Sequence, residues 1–172
     1  DVYKRQLQEY PERYPDDVSM ARQFTDFVSA YSDCFDRSLL VGHITGSAWV
    51  FDQGGMRALF THHRKLDRWL QVGGHADGDP DVAAVAMREA REESGLVQLA
   101  LVDEHIFDLD AHTIPARGNE PAHIHYDVRY LIRATADEPL TISHESNDLA
   151  WFGRAEIYEK FTDQSILRMA RK

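Results

Sequence analysis

The sequence has little cysteine, no long apolar run and no excess of basic residues, and each absence excludes a class of protein. Cys34 is the only cysteine, so no intrachain disulfide can form and we expect a cytoplasmic location. No apolar segment approaches the roughly 20 residues that span a bilayer, and the start of the chain has no signal-peptide core, so no membrane partner is expected. A formal net charge of -10 disfavours non-specific binding to nucleic acid, because phosphates are repelled.

What is present is typical of one globular domain. The chain has 172 residues, of which 43% are apolar, enough to bury a core without disulfides. Residues 15–36 carry apolar side chains at mostly helical spacing. We therefore predict an N-terminal helical extension over residues 1–36, packed on a main domain over residues 37–172.

The main domain mixes strand and helix signals. A strand, a turn at Gln53-Gly54-Gly55 and a second strand over residues 56–62 predict a β-hairpin. Further extended segments are predicted at residues 69–72, 96–108, 123–133 and 149–152, and helices at 80–94, 154–161 and 165–171. This mixture predicts an α/β fold of the mixed α+β kind, a layered domain around a mixed sheet.

The segment GGHADGDPDVAAVAMREAREESGL, residues 73–96, joins a glycine-rich loop to a helix. Asp79 is the predicted N-cap and Pro80 the first helical residue, because each is favoured at that position. Gly95 is the predicted stop, since glycine readily adopts the left-handed conformation that ends helices. The helix is therefore expected to begin close behind the glycines.

Three acids crowd this helix. Glu89, Glu92 and Glu93 stand at positions i, i+3 and i+4, so their carboxylates project from nearly one face. Arg88, four residues before Glu92, is expected to pair with Glu92 or to orient it, and Glu93 is expected at an exposed position. A solvated helix face is the usual explanation for such acids.

The glycines upstream favour a metal site instead. Gly73 and Gly74 allow the backbone to approach a ligand closely, and a bare carbonyl can join the carboxylates around a hard cation. Ligands that are all oxygen favour Mg²⁺ or Mn²⁺ over zinc. A bound cation would also let this acidic chain hold a diphosphate.

Residues 74–96 resemble the Nudix box, a pattern that begins with glycine and, after an intervening glutamate, ends in REUXEEXGU, where U is aliphatic. The matching residues are Gly74, Arg88, Glu89, Ala90, Glu92, Glu93, Gly95 and Leu96. One position departs, because Pro80 stands where the pattern has its first glutamate. Asp79 and Asp81 flank Pro80 and can replace the structural role of that acid.

The resemblance implies a Nudix-type α/β/α sandwich that hydrolyses a nucleoside diphosphate linked to another group, a small-molecule substrate, with Mg²⁺ or Mn²⁺ as cofactor. Carried over by position, the metal ligands are Glu89, Glu92, Glu93 and the Gly74 carbonyl, and the catalytic residues include Glu92 and Glu93. Arg88 is implied to orient the acids.

Candidates outside the box are weaker. Glu145, in a loop before the strand LAWF, is a candidate general base or extra ligand, although an exposed loop glutamate is an equal alternative. Arg64, Lys65 and Arg117 are candidate contacts for substrate phosphate; the alternatives are a solvated turn for the first two and a disordered loop for Arg117.

Alternating polar residues mark one predicted strand. His123, His125 and Asp127 lie on one face, where they can line the substrate cleft or hold a transition metal. A half-buried polar face with satisfied hydrogen bonds is favoured over both. No HEXXH pair is present, so zinc is not expected.

Two other functions stay open at this stage. One is a Nudix-like domain that senses a nucleotide without cleaving it, although such a domain would typically have lost Glu92 and Glu93. The other is a diphosphate isomerase, which requires a catalytic cysteine, whereas Cys34 lies far before the box. A homodimer also stays open as an assembly.

Overall fold

The computed structural model describes residues 2–172, so residue 1 of the predicted extension lies outside the described residues. The chain begins with helix α1 (Val2–Arg13), a single 3-10 turn (Pro15–Asp17) and helix α2 (Val18–Ala30). The predicted helical extension is confirmed, although its last helix ends at Ala30 and does not reach residue 36. Pro11 conceals α1 from sequence reasoning because proline is disfavoured inside helices, and Tyr31 is already extended.

Eight strands and three further helices follow. The strands are β1 (Gly42–Phe51), β2 (Arg57–His63), β3 (Arg68–Leu70), β4 (Val72–His75), β5 (Leu99–Leu101), β6 (Asp108–Ile114), β7 (His123–Ala134) and β8 (Ser146–Gly153). The helices are α3 (Val82–Ser94), α4 (Arg154–Lys160) and α5 (Gln164–Arg171). Across residues 2–172, no helix has the length and apolar character needed to cross a membrane.

The strands form one mixed sheet. β1 runs parallel to β7 over its whole length, and β5 and β6 pair antiparallel with β7. β2 pairs antiparallel with β3 and β8. The predicted hairpin is confirmed but short, since β1 and β2 pair antiparallel at a single register pair, Phe51 with Ala58. The reason is that β4 pairs with β1 over residues 45–48 and takes the edge that a hairpin would use.

Helices cover both faces of the sheet. On one face Ile44, Ala48 and Val50 of β1 share a core with α1, α2 and α3. On the other face Trp49 of β1 and Phe60 of β2 share a second core with α4 and α5. Alternate residues of β1 therefore enter opposite cores, as a strand between two layers requires. The predicted α/β/α sandwich around a mixed sheet is confirmed.

The N-terminal helices pack on the sheet through aromatic and polar contacts. The rings of Phe27 and Tyr126 stack with their centroids 3.9 Å apart. The Tyr130 hydroxyl donates a hydrogen bond of 2.8 Å to Gln6. The predicted boundary between residues 36 and 37 stays a prediction, because residues on both of its sides contribute to one core.

Helix α3 begins at Val82, two residues later than the predicted start at Pro80. Its N-cap is Asp81, whose side chain accepts a hydrogen bond of 3.1 Å from the Ala84 N–H. Asp79 instead accepts one from the Asp81 N–H at 2.9 Å, so the predicted N-cap at Asp79 is wrong. The predicted stop is confirmed, since Gly95 has a φ of 75°.

Candidate active site

Gly73 and Gly74 lie in strand β4 rather than in the predicted loop. Gly74 pairs with Gly46 of β1, and the two glycines face α3. A Cβ on Gly46 would lie 3.0 Å from the Val85 side chain, and a Cβ on Gly74 would lie 2.5 Å from Glu89 Oε2. The paired glycines therefore let α3 approach the sheet closely and bring its acids against the backbone of β4.

The three acids of α3 differ in exposure. Glu93 is only 5% exposed, which contradicts the expectation of an exposed position. Glu89 has a side chain that is 15% exposed, and Glu92 is exposed. The close approach of α3 to β4 is the physical reason, since it covers the side of the helix that carries Glu93 and Glu89.

This acid cluster holds more negative charge than its neighbours neutralise. Burial, together with the charges of Glu89 and Glu145, raises the pKa of Glu93 to about 8 against a hydrogen bond from the Gly73 backbone. Burial and the charge of Glu92 likewise raise the pKa of Glu89, which Arg88 opposes. A group of buried carboxylates with raised pKa values is typical of a functional site.

Arg88 contacts Glu89 rather than Glu92. Its Nη2 donates hydrogen bonds to the His75 carbonyl at 3.3 Å and to Glu89 Oε1 at 3.4 Å. The predicted pairing with Glu92 is wrong because the side chain is directed toward the end of β4. An orienting role toward the acids stays a prediction, now centred on Glu89.

Glu145 lies directly before β8, and its side chain is 56% exposed. Its charge raises the pKa of both Glu89 and Glu93, so the fold brings it into electrostatic range of the α3 acids. The Arg64 N–H donates a hydrogen bond of 3.0 Å to the Glu145 carbonyl. This contact joins the turn after β2 to the segment that carries Glu145.

The three residues predicted to contact phosphate lie in two different parts of the structure. Arg64 Nη2 donates to the Ser146 carbonyl at 3.4 Å, so Arg64 lies beside Glu145. Lys65 lies in the same turn. Burial lowers the pKa of the nearby His63; the charge of Lys65 adds to this effect, and the charge of Glu145 opposes it. Arg117 is exposed and its backbone pairs with Glu120. Within residues 2–172 no hydrogen bond or ion pair connects Arg117 to the acids.

Sequence reasoning missed Arg37. Its Nε and Nη2 donate to the two carboxylate oxygens of Asp77 at 2.6 and 2.7 Å. The hydrogen bonds that Arg37 donates to Asp77 are the main cause that raises the Arg37 pKa, and the charges of Asp77, Glu120 and Glu89 add to it. Arg37 thus places a cation near Glu89. No sequence pattern marks Arg37, since it stands far before the box in a segment without regular structure.

On the polar face of β7, Asp127 has the satisfied hydrogen bonds that the sequence predicts. Its carboxylate accepts hydrogen bonds from Thr45, Ser47 and Arg129 at 2.6 to 2.9 Å. The neighbouring imidazoles differ, because His43 Nε2 is buried without a hydrogen-bond partner in the part of the chain that the structure describes. Sequence reasoning missed His43, which the parallel register places opposite His125.

Cys34 is placed unfavourably for catalysis. It is 2% exposed within the core under α1, and its Sγ lies 3.9 Å from the Tyr3 hydroxyl. Burial raises the pKa of its thiol, whereas a nucleophilic cysteine needs a lowered one. The structure gives no support to the isomerase alternative.

Comparisons with known proteins agree with this geometry. The NUDIX domain model matches residues 43–170. The E. coli dihydroneopterin triphosphate pyrophosphohydrolase has a similar structure with a TM-score of 0.62 and 17% identity, covering 74% of this chain and 92% of that one. A C. elegans Ap4A hydrolase gives a TM-score of 0.57 and 18% identity, covering 73% and 93%. No curated protein sequence matches this chain significantly.

A third similar structure is the MutT NUDIX hydrolase of Burkholderia pseudomallei, with a TM-score of 0.57 and 21% identity, covering 74% of this chain and 95% of that one. The layered fold and its acid-bearing helix define an α/β/α sandwich of the kind these structures share. The chain belongs to the Nudix family. It is a Nudix hydrolase.

Proposed function

We propose that this protein hydrolyses the pyrophosphate bond of a nucleoside diphosphate linked to another group, by attack of water on phosphorus. The observation that supports it most is the pair of buried acids Glu89 and Glu93 against the backbone of β4, with the exposed Glu145 in electrostatic range of both. Glu92 adds an exposed carboxylate on the adjacent turn of α3. A cytoplasmic location stays a prediction that rests on the single cysteine.

The residues of this cluster fit a divalent cation. The absent side chain of Gly74 leaves room for the Glu89 carboxylate beside the β4 backbone. The donors are carboxylate oxygens of Glu89, Glu92 and Glu93 together with the Gly74 carbonyl, and such oxygens suit Mg²⁺ or Mn²⁺. Burial and the charges of neighbouring acids raise the pKa values of Glu89 and Glu93, and a bound divalent cation would offset both effects.

When bound, a divalent cation neutralises pyrophosphate oxygens and lowers the pKa of a coordinated water. The chain supplies the positioning. Arg88 and the Gly73 N–H fix the Glu89 and Glu93 carboxylates, respectively. Glu145 accepts the proton of the attacking water at its exposed carboxylate, while Arg64 and Lys65 beside it contact substrate phosphate. Arg117 is proposed to contact a more distant part of the substrate from its exposed loop.

The alternative function is a nucleotide sensor, and the experiment must distinguish it from a hydrolase. A sensor binds its ligand without turnover, so it needs no acid cluster with raised pKa values. Here Glu89, Glu92 and Glu93 are all retained, which favours hydrolysis. The assembly of the chain is left open between monomer and homodimer.

The test is a panel of sugar nucleotides, ADP-ribose, dinucleotides, nucleoside triphosphates and capped RNA ends, with detection of released phosphate products. We expect turnover that vanishes with chelator and returns with Mg²⁺ or Mn²⁺. Full turnover after exhaustive chelation would show that the acids hold no essential metal. Tight binding of one compound without turnover at any metal concentration would establish the sensor.

A further inference from the structure

Five imidazoles meet on the face of the sheet opposite α3. This histidine cluster consists of His43 on β1, His75 on β4, His112 on β6 and the pair His123 and His125 on β7. Within it, the His43 ring centroid lies 4.9 to 5.2 Å from those of His75, His123 and His125. The His125 centroid lies 5.1 Å from that of His75 and 5.7 Å from that of His112. Among these five rings, within the described residues, only His112 pairs with a carboxylate, that of Asp110. Burial without such a partner favours the neutral form of the other four rings.

Hydrogen bonds to backbone carbonyls assign the same tautomer to two of these rings. His123 Nδ1 lies 2.9 Å from the Pro121 carbonyl, and His43 Nδ1 lies 3.4 Å from the Leu39 carbonyl. A carbonyl only accepts, so each Nδ1 carries the proton and each Nε2 presents a lone pair. Metal-binding histidines are oriented in this way, with the second nitrogen donating to a carbonyl.

The lone pairs converge. One ring nitrogen from each of His43, His123 and His125 lies within 4.8 Å of the others. His123 Nε2 and His125 Nε2 are 3.2 Å apart, close to the about 3.3 Å that separates two nitrogen ligands on a tetrahedral zinc with bonds near 2.05 Å. His43 is 2% exposed, and its Nε2 has no partner among the described residues. A buried nitrogen left without a partner is costly unless a ligand satisfies it.

We propose that His43, His123 and His125 form a second metal site, for a divalent transition-metal ion such as Zn²⁺. Three imidazoles and one open position suit Zn²⁺, Co²⁺ or Ni²⁺ better than Mg²⁺, which prefers oxygen. His112 stands beside His125 with its own Nδ1 held 3.2 Å from Asp110.

The histidine site is separate from the acid cluster. Gly74 faces α3 and Glu89, whereas His75, the next residue on β4, contacts the rings of the histidine cluster. Consecutive residues of a strand face opposite sides, so the sheet lies between the two groups. The chemistry also separates them, since one offers only oxygen and the other only imidazole nitrogen.

Titration of the metal-free protein with Co²⁺ in the presence of excess Mg²⁺ tests the proposal. Imidazole-bound Co²⁺ in a site of low symmetry gives visible absorption, and Zn²⁺ should abolish it by displacement. We expect one Co²⁺ per chain, unaffected by Mg²⁺. In His123→Ala/His125→Ala the affinity should fall at least about a hundredfold, since loss of a supporting group alone costs about 10- to 100-fold.

Two controls identify the site. His144→Ala removes an imidazole whose side chain is 91% exposed and should leave Co²⁺ affinity unchanged. Glu93→Gln alters the acid cluster and should also leave it unchanged, so failure of the proposed hydrolysis does not affect this test. Loss of Co²⁺ binding in Glu93→Gln, or equal affinity in the double variant and the wild type, would overturn the proposal.

A measurement on the wild type covers the case in which the histidine variant does not fold. X-ray absorption of the Zn²⁺-loaded protein should show three imidazole ligands at about 2.0 to 2.1 Å. A shell made mainly of carboxylate oxygen, or the absence of any bound Zn²⁺ after dialysis against Mg²⁺, would refute the site.

Discussion

The Glu89 carboxylate fills the space in which a side chain on Gly74 would begin, with Oε2 2.5 Å from the ideal Cβ position. Gly74→Ala must therefore displace Glu89 or push α3 away from β4. Since a misplacement of about 1 Å can cost about a hundredfold in rate, we expect turnover to fall by about that factor. Steady-state hydrolysis on the best panel substrate measures it.

Gly54→Ala is the matched control for this change. Nothing lies within 4 Å of a Cβ built on Gly54, so the same added methyl group meets open space in the turn before β2. Turnover should stay near that of the wild type. Equal activity of both alanine variants would mean that the contact between Gly74 and Glu89 does not set the position of the metal-binding acids.

Glu93→Gln keeps the shape of the side chain and removes its charge. We expect turnover to fall at least about a hundredfold, or about 2.7 kcal/mol of transition-state stabilisation, while the protein stays folded. Glu159→Gln, on the exposed side of α4, is the control and should keep wild-type turnover. A folded Glu93→Gln protein with full activity would place the metal site elsewhere.

The metal-free protein should lose stability as the pH rises toward 8. Burial, together with the charges of neighbouring acids, raises the folded pKa of Glu93 from 4.5 to about 8, so between these values the folded state binds more protons than the unfolded state. Stability therefore falls across this window as pH rises. A loss of at least about 1.4 kcal/mol, the value of one pKa unit, should appear in denaturant unfolding with chelator present.

The same experiment on Glu93→Gln isolates the cause. Without the carboxyl the slope across this window should flatten, and above it the variant should be more stable than the metal-free wild type. Because Glu89, Glu92 and Glu145 interact with Glu93, the titration belongs to the cluster as a whole. An unchanged slope in the variant would show that Glu93 does not carry the proton.

Asp108 connects the C-terminal helix α5 to the sheet through buried ion pairs. Its carboxylate is 0% exposed and accepts from Arg129 at 3.1 Å, from Arg168 at 2.7 Å and from Lys172 at 2.7 Å. Asp108→Asn leaves three cations without their shared anion, and we expect a loss of about 3 to 5 kcal/mol in the free energy of unfolding. Thermal and denaturant unfolding measure it.

A surface pair provides the comparison. Asp103 and Arg13 lie 3.4 Å apart with side chains that are 42% and 41% exposed, so Asp103→Asn should cost less than about 1 kcal/mol. If both variants unfold at the same denaturant concentration, the buried network does not anchor α5 to the sheet.

The sequence predicts what local spacing determines. The i, i+3, i+4 spacing of Glu89, Glu92 and Glu93 places the acids on one helix, and Gly95 ends that helix at the predicted residue. The exposure of Glu93 could not be predicted, because it depends on two glycines in different strands that let α3 descend onto the sheet. Burial of a helix face is a tertiary property that propensity does not contain.

The other residues that the sequence does not predict are brought together by contacts between distant parts of the chain. His43 stands opposite His125 only because β1 and β7 run parallel in that alignment, and their positions are far apart in the chain. Arg37 reaches Asp77 through a loop without regular structure. The hairpin turn was predicted from its residues, but the strand that displaces β2 from β1 follows later in the sequence.

The single register pair between Phe51 and Ala58 divides the sheet into two hydrogen-bonded groups of strands. One group, with β1, β4 and β7, positions α3 and its acids; the other, with β2, β3 and β8, carries Glu145 and Arg64. Glu145 and Glu93 therefore belong to different groups of strands, and the geometry of the acid cluster depends on how the two groups meet at this junction.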